Sequence, residues 1–249
     1  DIGQYTSTNS QYTALILDTS GSMEGTPIEK QKEAAISFCE TLINTSSDNY
    51  ISIILLNTSA SIKCDFTNNL DSLKSIINAI RADGGTNIND ALIKAGNVLN
   101  NVTDSKANKI IVLCSDGLPE HGATLSNGKY TSSDHRWAYE YANAAYNTAT
   151  ELKQKYQIYT LGFFHSLEGE DLAFGQKFMN DLQNEGYYNV NDPEQLIDVF
   201  EEIANEIVDP DTPVEELLQR VTEIMKTMFS IALQILYAIL KVLVTATTA

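Results

Sequence analysis

Short apolar runs alternate with longer amphipathic stretches along most of the chain. The strand-like runs span residues 12–18, 50–57, 60–66, 109–115, 159–164 and 187–190. Apolar residues at helical spacing predict helices over 27–42, 69–82, 87–102, 135–156, 172–184 and 193–208. Strands that alternate with helices are typical of an α/β domain. We therefore expect a doubly wound, Rossmann-like and mostly parallel six-stranded sheet, with helices on both faces.

One strand is expected to run against the others. Residues 60–66 follow the strand at 50–57 after only a tight polar turn, and so short a connection joins antiparallel neighbours. This strand should lie at an edge of the sheet. The almost wholly apolar run at 109–115 should lie at its centre. The α/β domain is expected to span residues 12–208, after a polar leader or linker at 1–11.

Composition narrows the classes of partner. The 249 residues carry a formal net charge of −17, with 43% hydrophobic residues, which is enough apolar material for a folded domain. Strong negative charge repels phosphate backbones, so we expect no nucleic-acid partner and favour a bound cation or a basic partner. Cys39, Cys64 and Cys114 are too few, and odd in number, for a disulfide scaffold, and we expect buried thiols.

Carboxylates and hydroxyls cluster where predicted strands and loops end. Asp18, Ser20 and Ser22 follow the first strand at alternate positions, Thr86 precedes a helix, and Asp116 follows the run at the predicted centre of the sheet. Ligands of doubly wound sheets bind at the carboxyl ends of strands, where the strand order reverses. If the strands ending at Asp18 and Asp116 are neighbours, these oxygens share one crevice. Such a set, without His or Cys, favours Mg²⁺, Mn²⁺ or Ca²⁺ over zinc or copper.

These segments resemble the metal-ion-dependent adhesion site (MIDAS) of a von Willebrand factor type A (vWA) domain. They read Asp-Thr-Ser-Gly-Ser, Gly-Thr-Asn and Ser-Asp-Gly, in the order and at the separations of that family. The resemblance implies a Mg²⁺ ion, with Mn²⁺ or Ca²⁺ as alternatives, whose open coordination position accepts an acidic side chain. That side chain would come from a partner protein or an extracellular-matrix ligand. The metal-binding residues it implies are Asp18, Ser20, Ser22, Thr86 and Asp116, the carboxylates acting mostly through water and the hydroxyls directly.

The same resemblance leaves several functions open. Our leading hypothesis is a bacterial-type, non-enzymatic adhesion domain that is secreted or held at the cell surface. A second hypothesis is an intracellular vWA assembly module that works beside an ATPase or a chelatase. A third is a metal-dependent hydrolase that uses the same oxygen cluster. An ion with a purely structural role, or a turn with ordinary helix caps, remains an alternative. The three histidines, His121, His135 and His165, lack zinc-ligand spacing.

A long polar segment at 117–134 leaves the sheet beside Asp116, on the side where the ion would lie. Loops on a rigid scaffold often carry specificity, although a solvated insertion is an equal alternative. The residues that we expect to help line a partner surface are Lys129, Tyr130, His135, Arg136 and Trp137.

The C-terminal part of the chain has a different composition. A Pro-containing linker at 209–213 precedes an apolar stretch at 214–249 that lacks Gly and Pro. The apolar composition favours a membrane anchor, whereas a polar stripe at helical spacing favours a packing or oligomerising helix. Residues 214–245 therefore predict a C-terminal apolar helix with two alternative roles, membrane anchoring or helix–helix association.

Overall fold

The computed structural model describes residues 9–208 of the chain, and six strands in this part form one sheet. The strands are β1 (Gln11–Asp18), β2 (Asn49–Leu56), β3 (Ser61–Ile62), β4 (Asn108–Ser115), β5 (Gln157–Phe163) and β6 (Gly186–Val190). Their order across the sheet is β3-β2-β1-β4-β5-β6. All pairings are parallel except that of β2 with the edge strand β3. The predicted sheet is therefore confirmed.

Helices cover both faces of the sheet. They are α1 (Thr26–Thr45), α2 (Leu70–Asn78), α3 (Ile88–Asn100), α4 (Tyr139–Leu152), α5 (Gly169–Leu182) and α6 (Leu196–Val208). Side chains of β1 alternate between the faces: Ala14 and Ile16 pack with α3, α4 and α5, while Leu15 and Leu17 pack with α1, α2 and α6. All four are fully buried, and burying a side chain as large as Leu or Ile stabilises the fold by about 1.5–3 kcal/mol.

The strand order reverses between β1 and β4. The chain leaves β1 toward β2 on one side, and β4 begins the half of the sheet on the other side. The loops after β1 and β4 therefore diverge at the carboxyl ends of two paired strands. Doubly wound sheets bind ligands in a crevice between such loops. The strands that end at Asp18 and before Asp116 are neighbours, as a shared site requires.

The edge strand is shorter than the predicted 60–66. Regular ladder pairing reaches only Ile62. Beyond it the Lys63 amide donates to the Ile53 carbonyl at 2.8 Å, and an isolated antiparallel bridge joins Ile51 to Thr67. At Cys64 the carbonyl accepts a hydrogen bond from the Ser52 side chain at 2.8 Å. A side-chain bond thus takes over where the backbone ladder would have continued.

The helix predicted at 135–156 begins later, at Tyr139. His135 Nδ1 accepts a hydrogen bond from the Ala138 amide at 3.1 Å, which occupies a donor near the start of the helix. His135 Nε2 lies 2.8 Å from Asp171 Oδ1 in α5. His135 therefore belongs to the loop before α4, and the helix begins only after it.

The loop between β4 and α4 is pinned into the core at Tyr130. This side chain is fully buried, and its hydroxyl donates to Asp181 Oδ2 at 2.8 Å. Its amide donates to Asn143 Oδ1 at 2.8 Å, while Asn143 Nδ2 donates to the Tyr130 carbonyl at 2.9 Å. The expectation that Tyr130 and His135 line a partner surface is therefore wrong, because both are buried.

The described residues belong to one compact unit that ends at Val208. The predicted linker at 209–213 and the predicted apolar helix at 214–249 lie outside the described residues, as do residues 1–8 of the predicted leader. Within 9–208, no helix combines the length and the apolar character that crossing a membrane requires.

We expect Tyr130→Ala to lower the free energy of unfolding by about 3–5 kcal/mol, because it removes a fully buried aromatic ring. Tyr130→Phe should cost about 1–3 kcal/mol, because only the hydrogen bond to Asp181 is lost. Urea denaturation measures both. Tyr141→Ala, at a half-buried tyrosine of α4, is the control and should cost clearly less. Equal costs at Tyr130 and Tyr141 would show that the loop is not anchored in this way.

Candidate functional site

Asp18 ends β1 as a fully buried carboxylate held from two sides. Its Oδ1 accepts the Ser20 amide at 2.8 Å, which closes a tight turn directly after the strand. Its Oδ2 accepts the Ser115 hydroxyl at 2.6 Å, at the end of the neighbouring β4. Asp18 therefore ties the two strand ends together.

The hydroxyls that follow Asp18 point toward Asp116. Ser22 Oγ donates to Asp116 Oδ1 at 2.9 Å, and Ser20 Oγ donates to the same oxygen at 3.3 Å. The two serine oxygens are 3.0 Å apart. Ser20, Ser22 and Asp116 thus form one oxygen cluster, with Asp18 immediately behind it.

Thr86 reaches this cluster from the loop before α3. Its hydroxyl lies beside Gly117, where a β-carbon would stand 3.4 Å from Thr86 Oγ1. The Thr86 carbonyl accepts amide hydrogen bonds from Glu120 and His121, at 3.0 and 3.3 Å. Gly85 allows this packing, because a β-carbon there would come within 2.3 Å of the His121 ring.

The structure brings all five sequence-predicted residues together at one place. Ser20, Ser22, Thr86 and Asp116 line a cavity of about 260 Å³ at the carboxyl ends of β1 and β4, and Asp18 is bonded beneath them. Other residues of the cavity wall are Leu118, Glu120, Trp137, Ser166, Leu167 and Asp171.

The surroundings of Asp18 and Asp116 disfavour the ionised form of both carboxyl groups. Burial raises the pKa of Asp116 well above its ordinary value, and the nearby Asp18 raises it further. Burial likewise raises the pKa of Asp18, against the opposing effect of its hydrogen bonds. Asp116 Oδ2 is buried and finds no hydrogen-bond partner in the part of the chain that the structure describes. A cation at this point would satisfy that oxygen and remove the repulsion.

The donor set fits a hard cation. Among residues 9–208, no group of three or more His, Cys, Asp or Glu side chains is placed to hold a metal. A metal here would therefore draw on hydroxyls and water besides the carboxylates, as Mg²⁺, Mn²⁺ and Ca²⁺ do. The cysteines are free thiols, two buried and one half-buried, which agrees with the expectation for Cys39 and Cys114 and in part for Cys64.

Sequence reasoning missed His165, which comes from beyond β5 and approaches Asp116. Its ring stacks on Phe163, with ring centroids 4.7 Å apart. Its Nδ1 lies 3.8 Å from Asp116 Oδ2. The three histidines appeared scattered along the chain, but β5 pairs with β4, so the residues after β5 arrive beside Asp116.

Residues 13–118 match the family model of the von Willebrand factor type A domain. Among curated proteins, the chain is similar to the inter-alpha-trypsin inhibitor heavy chain H1 of Sus scrofa. The two are 23% identical over 204 residues, which is 78% of this chain and 21% of that protein. The chain thus spans about a fifth of the length of the curated relatives that it matches.

Solved structures share the fold at low identity. The vWF domain of the type V pili tip protein Mfa5 from Porphyromonas gingivalis has a TM-score of 0.70 at 17% identity, covering 81% of this chain and 96% of that one. The pilus adhesin SpaC from Lactobacillus rhamnosus GG has a TM-score of 0.67 at 17% identity, covering 82% and 31%. Together with the sheet order, these likenesses lead to one finding: the chain has the fold of von Willebrand factor type A domains, and its residues 13–118 match the model of that family.

Proposed function

We propose that this domain binds Mg²⁺, or Mn²⁺ or Ca²⁺ in its place, and uses the ion to capture a carboxylate of a partner protein or matrix ligand. Ser20, Ser22 and Thr86 supply hydroxyl oxygens, and Asp18 and Asp116 supply the negative charge. The observation that carries this proposal is the buried Asp116 Oδ2, which finds no hydrogen-bond partner among residues 9–208. It belongs to a carboxylate that accepts from Ser20 and Ser22 at the wall of the cavity. Once bound, the ion supplies a Lewis-acidic position for an incoming oxygen ligand.

Adhesion at a cell surface or in the extracellular space is the setting that we propose. Two fold neighbours are a pili tip protein and a pilus adhesin. The proposed adhesive unit is the domain at 12–208, with a leader or linker before it and the segments 209–213 and 214–249 after it. A bacterial origin belongs to the same proposal.

A binding role accounts for the two serines better than a hydrolytic role does. A serine nucleophile needs a base that takes its proton. The Ser22 and Ser20 hydroxyls donate to Asp116 Oδ1, at 2.9 and 3.3 Å, and an Asp116 carboxylate that holds the cation is not available as that base. We therefore propose them as metal ligands.

Calorimetric titration with Mg²⁺, Mn²⁺ and Ca²⁺ tests the metal site. We expect binding by the wild type and a loss of at least about tenfold in affinity for Asp116→Ala, because a charged ligand of the cation is removed. Thr86→Ala should weaken binding without changing the net charge.

The matched control for charge is Asp104→Asn, in the loop before β4 at the amino end of the strands. Asp104 accepts the Lys106 amide and takes no part in the oxygen cluster. The Asp104→Asn variant should therefore bind the metal with the affinity of the wild type. Equal heats for wild type and Asp116→Ala would refute the metal site.

The carboxylate pair also predicts a pH dependence of stability in chelator. Because the pKa values of Asp18 and Asp116 are raised in the folded state, the folded protein holds more protons than the unfolded chain. The resulting stability is present at low pH and is lost as pH rises through the raised pKa values. We expect Tm in EDTA to fall by several degrees between pH 5 and pH 8.

Saturating Mg²⁺ should raise Tm more at pH 8 than at pH 5, because protons compete with the ion. Asp116→Asn should flatten the fall in EDTA, whereas Asp104→Asn should not. A Tm of the wild-type protein in EDTA that does not change between pH 5 and pH 8 would contradict a strained carboxylate pair. Differential scanning calorimetry provides all of these values.

A further inference from the structure

One wall of the cavity that Ser20, Ser22 and Asp116 line is apolar. Trp137 lines it with its side chain 41% exposed, the largest exposed apolar side chain among residues 9–208. Leu118 and Leu167 line the same cavity from the loops after β4 and β5. Oxygen ligands for an ion do not require such a surface, so its role must concern whatever approaches the ion.

The Trp137 ring packs on side chains that are themselves held in place. Its ring meets the ring of buried His135 edge-on, with centroids 5.0 Å apart, and His135 packs in turn on Phe174 at 5.0 Å. Since His135 Nδ1 accepts the Ala138 amide, Nε2 must carry the proton that is donated to Asp171 Oδ1 at 2.8 Å. A side chain fixed in this way loses little conformational entropy when a ligand covers it.

Elsewhere the rim of the cavity is acidic. Glu120 and Asp171 line the cavity with roughly half of each side chain exposed, and no Lys or Arg of the described residues lines it. Asp171 accepts from a neutral histidine, so its negative charge is not compensated there. An approaching segment that carries only acidic side chains is therefore repelled at the rim and attracted only at the ion.

We propose that this cavity recognises a peptide segment of a partner protein in which an Asp or Glu is flanked by a large apolar residue and by a basic residue. The acid reaches the ion, the apolar side chain covers Trp137 beside Leu118 and Leu167, and the base faces Glu120 and Asp171. Trp137 is thus a specificity-determining residue. This inference rests on the proposed function, because it requires the ion to hold the carboxylate.

A peptide array tests the proposal without a known partner. The probes are immobilised, end-blocked peptides with a central Asp and all amino acids varied at the flanking positions, incubated with the protein in Mg²⁺ or in EDTA. In Mg²⁺ we expect retention on peptides with an aromatic or large aliphatic residue and a Lys or Arg beside the Asp. Replacing Asp by Asn, or Mg²⁺ by EDTA, should abolish it.

The single tryptophan of the chain gives an independent readout. Because Trp137 is the only one, its emission reports directly on the apolar wall. A retained peptide in solution, with Phe beside Asp, should shift the emission to shorter wavelength as the indole leaves water. The matched peptide with Gly in place of Phe should leave the emission unchanged.

Variants separate this proposal from the proposed function. Trp137→Ala should lower affinity for the Phe-containing peptide about tenfold and leave the Gly-containing peptide unaffected, while Trp137→Phe should restore the preference. Glu120→Gln should weaken the preference for a basic neighbour. Calorimetry with Mg²⁺ alone accompanies each variant, to show that the metal site is intact.

Two results would overturn the proposal. Mg²⁺-dependent retention of Asp peptides with no preference for apolar neighbours, or the same preference in Trp137→Ala, removes the role of Trp137 and leaves the metal site standing. Absence of Mg²⁺ binding in the wild type removes both proposals together.

Discussion

Two carboxyl groups that are buried side by side, and that resist being ionised together, are the constraint on which the rest of this site depends. Leu17 of β1 pairs with Cys114 of β4, so the residues that follow, Asp18 and the Ser115–Asp116 pair, leave the sheet together. Burial keeps water from both carboxylates, and each raises the cost of ionising the other. Hydrogen bonds from Ser115 and from the Ser20 amide offset this cost at Asp18. At Asp116, one oxygen has no such partner within residues 9–208.

The order of the strands turns this local strain into an accessible site. Had β1 and β4 been separated by another strand, the two acids would have lain on different crevices and would not have interacted. Because the sheet reverses its order between them, their loops diverge and the acids face a shared cavity. The same loops carry Ser20 and Ser22, and the loop before α3 brings Thr86, so neutral oxygens surround the charges.

The oxygen cluster was predictable from the sequence because each of its segments lies next to a strand or helix with a strong apolar pattern. Asp18 and Asp116 end such strands, and their proximity required only that those strands be neighbours. Tyr130 and Trp137 were not separable in this way. Both are aromatic residues of one polar loop, yet Tyr130 is fully buried and Trp137 is 41% exposed. The difference comes from the hydrogen bonds of Tyr130 with Asn143 in α4 and Asp181 in α5, which the local sequence pattern does not predict.

This acidic domain can bind a carboxylate of a partner only if the cation binds to the domain first. The chain has a net charge of −17, and Glu120 and Asp171 lie at the rim of the cavity. Charges farther than about 8–10 Å away are screened at physiological salt, but those at the rim are not. A carboxylate that enters without a cation meets four acids in a poorly solvated space, whereas with a cation it meets an attractive centre. Repulsion therefore contributes to specificity, because it excludes acidic segments that lack an apolar or basic neighbour to offset it.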